Sequence, residues 1–212
     1  MCGGNVRVCN IGNPIDVERF FPLSREKSRK DVGLMLGKKV AMFCAVGGGR
    51  DENKGGQLFL DAAKRLRETG EWEFCLVGCG NKERLPGVVF SHVSDEDLLR
   101  RLMCASDVVV VPSRVENLSY MIMEAMACAV PVVAFDVGGN SDLVEDGVTG
   151  WLIRDRCAEA LYRCLEGVSC GEAMRRGKAA RDRVVARFSY DRIAEEYCRL
   201  FRACVAGEEL CV

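Results

Sequence analysis

Pro112–Ala134 reads P-S-R-V-E-N-L-S-Y-M-I-M-E-A-M-A-C-A-V-P-V-V-A. Four valines, Val108–Val111, lead into it, and Pro112 ends them because proline cannot donate to a sheet ladder. After a short polar loop, Ser119–Cys128 predicts a helix, since it is rich in Met and Ala and has no β-branched run. Pro131 pushes Val130 out of the α region and stops that helix. Val132–Phe135 then resumes as a strand. Strand, loop, helix, strand is the βαβ unit of a parallel sheet.

The same alternation extends outward on both sides. Towards the N-terminus, strands are predicted at Lys39–Val46, Glu73–Val77 and Val88–Phe90. Between them lie a helix over Gln57–Glu68, with an imperfect stripe of Leu58, Leu60, Ala62, Ala63 and Leu66, and a helix ending near Ala105. Ser94 caps the latter in a box-like arrangement, with Asp97 in place of Glu. Arg19–Gly37 is charged and reads as a linker running into a short amphipathic helix. Towards the C-terminus come one or two helical turns at Ser141–Glu145 and a sixth strand at Trp151–Ile153. Helices follow at Cys157–Gly167, Glu172–Arg187 and Tyr190–Val205. Six strands alternating with helices predict an α/β protein, a single Rossmann-like doubly wound parallel sheet.

The chain has 212 residues, enough for one well-covered core, and its apolar content of 49% and charged content of 29% are those of a globular protein. A net charge of −1 gives no electrostatic reason to expect nucleic acid as a partner. No apolar run approaches a membrane span, and the opening M-C-G-G-N-V-R lacks a signal-peptide pattern. A cytoplasmic protein follows as the expectation, with at most peripheral contact at the inner membrane. Arg175, Arg176, Lys178, Arg181, Arg183 and Arg187 form a basic helical pattern that reads as a solvated face. The 13 cysteines include no C-x-x-C pair and most fall in apolar runs, so they read as small buried hydrophobes in a reducing compartment. With one histidine and no clustered cysteines, no metal site is expected.

Glu116 and Glu124 flank the start of the central helix. Every other residue from Met121 to Val130 is apolar or small, so Glu124 is a carboxylate in a segment expected to be buried on nearly all sides. Such a group is rarely buried alone. Either it pairs with an arginine of a neighbouring element, or it accepts hydrogen bonds from ligand hydroxyls at the helix end. It stands about five residues into the helix, roughly 8 Å from its start. Ligands of open α/β sheets bind at the strand C-terminal ends, which favours the second reading. Gly47–Gly49 ends a strand, and Arg50 and Lys54 follow at the entrance to the next helix. Glycines, free amides and two cations there suit a diphosphate. The dinucleotide fingerprint fails, because Gly78 and Gly80 are followed by Glu83; the P-loop fails too, because Lys54 precedes Gly55 with no Ser or Thr after it.

Taken in order, these segments resemble the C-terminal, donor-binding half of retaining GT-B glycosyltransferases of glycosyltransferase family 4. N-P-I-D-V-E-R-F-F-P at Asn13–Pro22 is similar to the segment after the interdomain linker. G-G-R-D-E-N-K-G at Gly48–Gly55 is similar to the phosphate loop, L-V-G-C-G at Leu76–Gly80 to the next strand's loop, and V-S-D-E-D-L at Val93–Leu98 to the nucleobase loop. Glu116 and Glu124 form the E-x7-E signature, followed by A-M-A, Pro131-V-V and Gly138-Gly139. The resemblance implies that Gly48, Gly49, Arg50, Lys54, Gly78 and Val93 line a UDP-, GDP- or ADP-sugar site. By the same resemblance Glu124 takes the ribose hydroxyls, while Glu116 and the amides of Asn117, Leu118, Ser119 and Tyr120 face the sugar. Glu116, Arg50 and Lys54 would serve catalysis. It also implies no cofactor, no metal and retention of anomeric configuration, the diphosphate taking the acceptor's proton as it leaves.

Three departures matter. Ser119-Tyr120 replaces the more usual Gly-Leu or Pro-Asn, which narrows the expected sugar pocket. Ala129 stands where the family has Gly at φ > 0, at a cost of roughly 1 kcal/mol. No N-terminal lobe precedes Val6, and with it go the acceptor site and the family's histidine, for which His92 is no substitute. The expected organisation is therefore a linker remnant over 1–30, the nucleotide-sugar domain over 31–188 and a crossover helix with tail over 189–212. A separate N-terminal acceptor lobe is an expected partner, and Ile193, Tyr197, Leu200 and Phe201 are expected to be partly exposed. A non-catalytic sugar-nucleotide-binding or interaction module is the alternative.

Overall fold

The computed structural model describes residues 8–45, 51–78 and 85–206. Six parallel strands form one sheet: β1 Lys39–Cys44, β2 Trp72–Val77, β3 Gly87–Phe90, β4 Val108–Val111, β5 Val132–Phe135 and β6 Gly150–Ile153. Their order is β3-β2-β1-β4-β5-β6, so the chain reverses direction between β1 and β4. The α/β doubly wound sheet expected from the sequence is the fold observed. The helices are α1 Arg25–Val32, α2 Gly56–Glu68, α3 Glu96–Ala105, α4 Tyr120–Ala127, α5 Asn140–Leu143, α6 Ala158–Glu166, α7 Cys170–Phe188 and α8 Tyr190–Ala206.

Alternation along each strand divides the core in two. Val109 and Val111 of β4 join Val40 and Met42 of β1 against α3, α4 and α7. Val108 and Val110 face the other way, with Ala41 and Phe43, against α2 and α6. Both faces are covered, and all four residues of β4 are buried, as a central parallel strand requires.

The β1–β4 register is pinned at its start by Asp107. Its amide donates to the Val40 carbonyl (2.8 Å), and its carboxylate accepts from the Val40 amide (2.7 Å). The same carboxylate accepts from Arg29 Nη2 (2.7 Å) and Arg25 Nη1 (2.8 Å). Arg29 is itself buried, and its other donors reach the carbonyls of Ala105 (2.8 Å) and Lys38 (2.9 Å). A buried charge pair with all its hydrogen bonds satisfied is the arrangement that offsets desolvation.

Several expectations are corrected. Asp95, not Ser94, caps α3: its Oδ1 accepts from the Asp97 amide at 2.9 Å, and the Asp97 carboxylate goes to Arg100 instead of closing a capping box. The basic pattern of α7 is only half a solvated face: Arg175, Lys178 and Arg187 are exposed as expected, and the other three turn inward. Arg176 is buried, bonding the Gly150 carbonyl and Glu172. Arg181 donates to the carbonyls of Ala127 and Phe20 (2.7 Å each) and Val17 (3.1 Å). Arg183 donates to those of Leu143 and Asp142. Three of these carbonyls sit at the ends of α4 and α5, where intrahelical donors run out, so the guanidinium groups satisfy orphaned acceptors. Among the described cysteines only Cys75, Cys104 and Cys128 are buried, while Cys157, Cys170, Cys198 and Cys204 are exposed. On α8, Ile193 is buried, in contrast to Phe201, which is 61% exposed and in ring contact with the exposed Tyr197.

Ala129 does adopt the left-handed conformation, with φ of 58°. Its carbonyl lies against Gly177 of α7, where a Cβ would overlap it. Relief of the first strain and creation of the second clash have opposite signs. Ala129→Gly should raise the melting temperature by roughly 1–3 °C, equivalent to about 0.5–1 kcal/mol. Gly177→Ala should lower it, and thermal melts of the two variants beside the parent check both signs.

Candidate functional site

The site is built where the strand order reverses. At the C-terminal end of β4, Pro112 starts a loop that runs to Ser119 and is gripped from two sides. On one side, a 3-10 turn over Glu52–Lys54 ends in Gly55, whose φ of 68° no L-residue adopts readily. Gly55 presses on the Pro112 carbonyl so closely that a Cβ would overlap it, and the Arg114 amide donates to the Asn53 carbonyl at 2.7 Å. On the other side, Gly138 packs on the Glu116 carbonyl and the Gly139 amide donates to the Asn117 carbonyl at 2.7 Å.

A cavity of about 340 Å³ opens between this loop, the C-terminal ends of β1 and β4, and the start of α4. Lys54, Glu116 and Glu124 give it charge; Ser113, Ser119 and Tyr120 give it hydroxyls; Phe43, Val93, Leu99 and Met121 make its apolar wall. Lys54 Nζ lies 2.7 Å from Glu116 Oε1, the lysine side chain 35% exposed and the glutamate 11%. Ser119 has N-cap backbone geometry but makes no side-chain cap bond, and the first turn of α4 holds no acidic residue. The positive end of the helix dipole is therefore left uncompensated by its own side chains.

Glu124 projects from α4 into the same cavity. Burial, and secondarily the charge of Glu96, push its carboxyl up to about 7. Among the described residues its carboxylate has no hydrogen bond or ion pair, so the arginine partner held open from sequence is not found. Val93, Leu118, Ser119, Tyr120 and Glu124 all line the cavity with Lys54 and Glu116. Asn117 lies on the far side of the loop, in a second cleft of about 430 Å³ that Leu118 also touches. Gly78 is not in the cavity lining; it packs against the Ala45 carbonyl at the end of β2. Gly48, Gly49 and Arg50 lie outside the described residues. Sequence reading missed Ser113 and Met121, although Ser113 stands directly after Pro112 where the strand end must open. It also missed the contact between Lys54 and Glu116.

A parallel sheet with a ligand-sized crevice at its switch point is the frame of nucleotide-handling α/β proteins. The chain belongs to the glycosyl transferases group 1 family, whose sequence model matches residues 40–169. Among curated relatives, the alpha-maltose-1-phosphate synthase of Mycobacterium tuberculosis is 29% identical, the match covering 91% of this chain and 56% of that protein. Among solved structures, sucrose-phosphate synthase from Thermosynechococcus elongatus superposes with a TM-score of 0.79 at 25% identity, over 93% of this chain and 53% of that one. Anabaena HepE, solved in complex with UDP and glucose, superposes with a TM-score of 0.74 at 22% identity, over 91% and 56%. The chain thus spans about half the length of these relatives, and its fold is that of the C-terminal domain of a GT-B glycosyltransferase. No helix among the described residues is long and apolar enough to cross a membrane.

The raised carboxyl of Glu124 has a consequence for stability. The folded chain holds this proton to higher pH than the unfolded one, so the stability it contributes is complete below about 4.5 and lost as the pH rises through about 7. Glu124→Gln removes the penalty and should be more stable than the parent at about pH 8, on the order of 2–3 kcal/mol. The gap should close at acidic pH. Ligand-free melts of both proteins across that range test it.

Proposed function

We propose that this chain is the donor lobe of a hexosyltransferase and holds a nucleoside diphosphate sugar in the cavity at the sheet's switch point. The observation that carries the reading is the convergence there of one ammonium, two carboxylates and an uncapped helix start. Lys54 and the amides at the start of α4 face the diphosphate, with Arg50 assigned to it by resemblance. The apolar wall around Val93 and Leu99 receives the base. Glu124 accepts from the ribose hydroxyls and Glu116 from those of the sugar. As the glycosidic bond breaks, negative charge grows on the departing diphosphate, and Lys54 and the helix end are positioned to stabilise it. Transfer with retention follows if that diphosphate takes the acceptor's proton on the same face. The reading calls for no metal: Lys54, once freed from Glu116, and the amides at the start of α4 would take the diphosphate's charge. The UDP held by the similarly folded HepE supports a nucleoside diphosphate as the common part.

Calorimetric titration with UDP, GDP, ADP and their hexose esters, in the presence of a chelator, tests the reading directly. At least one should bind. Arg50→Ala combined with Lys54→Ala should remove roughly 1.5–3 kcal/mol per contact. Unchanged affinity in that double variant would refute the assignment.

The acceptor belongs to a second lobe, as expected for a chain half the length of its relatives. Holding two reactants in register contributes roughly 7–11 kcal/mol to lowering a barrier. The isolated chain should therefore bind donor without transferring sugar, and turnover should appear only when an acceptor lobe is supplied. Radiolabelled hexose esters with mixed acceptors read this out, and robust transfer by the chain alone contradicts it.

A further inference from the structure

The cavity's charges are arranged in a way that the donor reading alone does not require. The described part of the cavity holds one ammonium, Lys54, and two carboxylates, Glu116 and Glu124. Lys54 is already engaged by Glu116 at 2.7 Å. No other side-chain hydrogen bond or ion pair of either residue occurs among the described residues, so among these each is the other's counter-charge. An anion entering here meets a neutralised lysine and a second acidic group nearby. Bare phosphate chemistry is poorly served by such a site.

Neither partner can simply retreat. The turn bearing Lys54 is fastened to the loop bearing Glu116 by the Arg114–Asn53 hydrogen bond and by the contact of Gly55 with the Pro112 carbonyl. Gly138 blocks the Glu116 backbone from behind. Only the side chains can exchange partners. A carboxylate that is 11% exposed and has lost its ammonium must find other donors or bear its desolvation unrelieved.

We infer that Glu116 is a stand-in for the ligand's phosphate and a specificity-determining residue. Its carboxylate occupies Lys54 until a phosphate displaces it, and the displaced carboxylate must then be satisfied by hydroxyls attached next to that phosphate. Phosphate recognition and hydroxyl recognition are thereby coupled through one ion pair. The site discriminates against the bare nucleoside diphosphate, which takes Lys54 and leaves Glu116 stranded, in favour of the ester that brings hydroxyl donors with it. For a donor lobe this means that the product left after transfer is held less well than the intact donor. The inference rests on the donor-site reading above, and deepens it by giving the unliganded ion pair a part in selection.

The test is a titration series on the 212-residue chain, comparing UDP with UDP-glucose, and the guanosine and adenosine pairs likewise. Glu116→Gln removes the competing charge. It should bind the bare diphosphate about fivefold more tightly than the parent, the equivalent of a partly buried pair's interaction. The preference for the hexose ester over the bare diphosphate should shrink in the same variant. Glu116→Asp keeps the charge and should keep the parent's weak binding of the bare diphosphate. Should the Gln variant fold poorly, Glu116→Ser carries the same expectation. A merely structural pair would lower both affinities together, along with the melting temperature. Equal or weaker binding of the bare diphosphate by the uncharged variants, with the ester preference intact, overturns the inference and leaves the donor site standing. Absence of binding by every diphosphate and every ester overturns the donor reading itself.

Discussion

A single carboxylate fixes the geometry on which everything downstream depends. Asp107 ties the first residues of β4 to β1 and collects two arginines from α1 while doing so. Because β1 and β4 are the strands between which the chain reverses, their register decides how their opposite ends diverge. A slip of one residue would turn each valine of β4 to the wrong core. The carboxylate is expensive to bury, and here three donors meet it, one on Oδ1 and two on Oδ2.

Glu124, at the other end of the same βαβ unit, is treated in the opposite way. It is largely buried, though less completely than Asp107, yet no donor of the described protein reaches it. One carboxylate is saturated and holds the sheet; the other is starved and faces a cavity. An unsatisfied acceptor on a rigid, close-packed helix is a standing preference for something that brings hydroxyls. The ends of the sheet thus differ in chemistry because the chain spends its donors at one of them.

Much of this was legible in the residues. Four consecutive valines stopped by proline can only be a strand covered on both faces, and the Met- and Ala-rich segment after it has no period but the helical one. The six strands and their helices follow from such local signals. What sequence could not supply was pairing across distance. Lys54 and Glu116 are 62 residues apart, and their contact depends on two glycines fitting against carbonyls of one loop. The inward-turning arginines of α7 look like part of a solvent face because periodicity records spacing, not the helix ends that lie opposite. Ser94 and Asp95 are both good caps, and only the loop's geometry selects between them. Ile193 falls in an apolar stripe that is buried at its first turn, whereas Tyr197 and Phe201 further along it are exposed.

The ladder contact of Ile15 with Ser189 brings the beginning and the end of the sheet domain together. Arg181 reinforces the junction by holding the Val17 carbonyl 164 residues away along the chain. A polypeptide that enters and leaves through one door can be moved as a cassette. Splicing it into another chain, or exchanging it between hosts, disturbs one seam and leaves the sheet, both cores and the cavity untouched. Modular reuse of a binding lobe beside different second lobes needs no more than that closed seam.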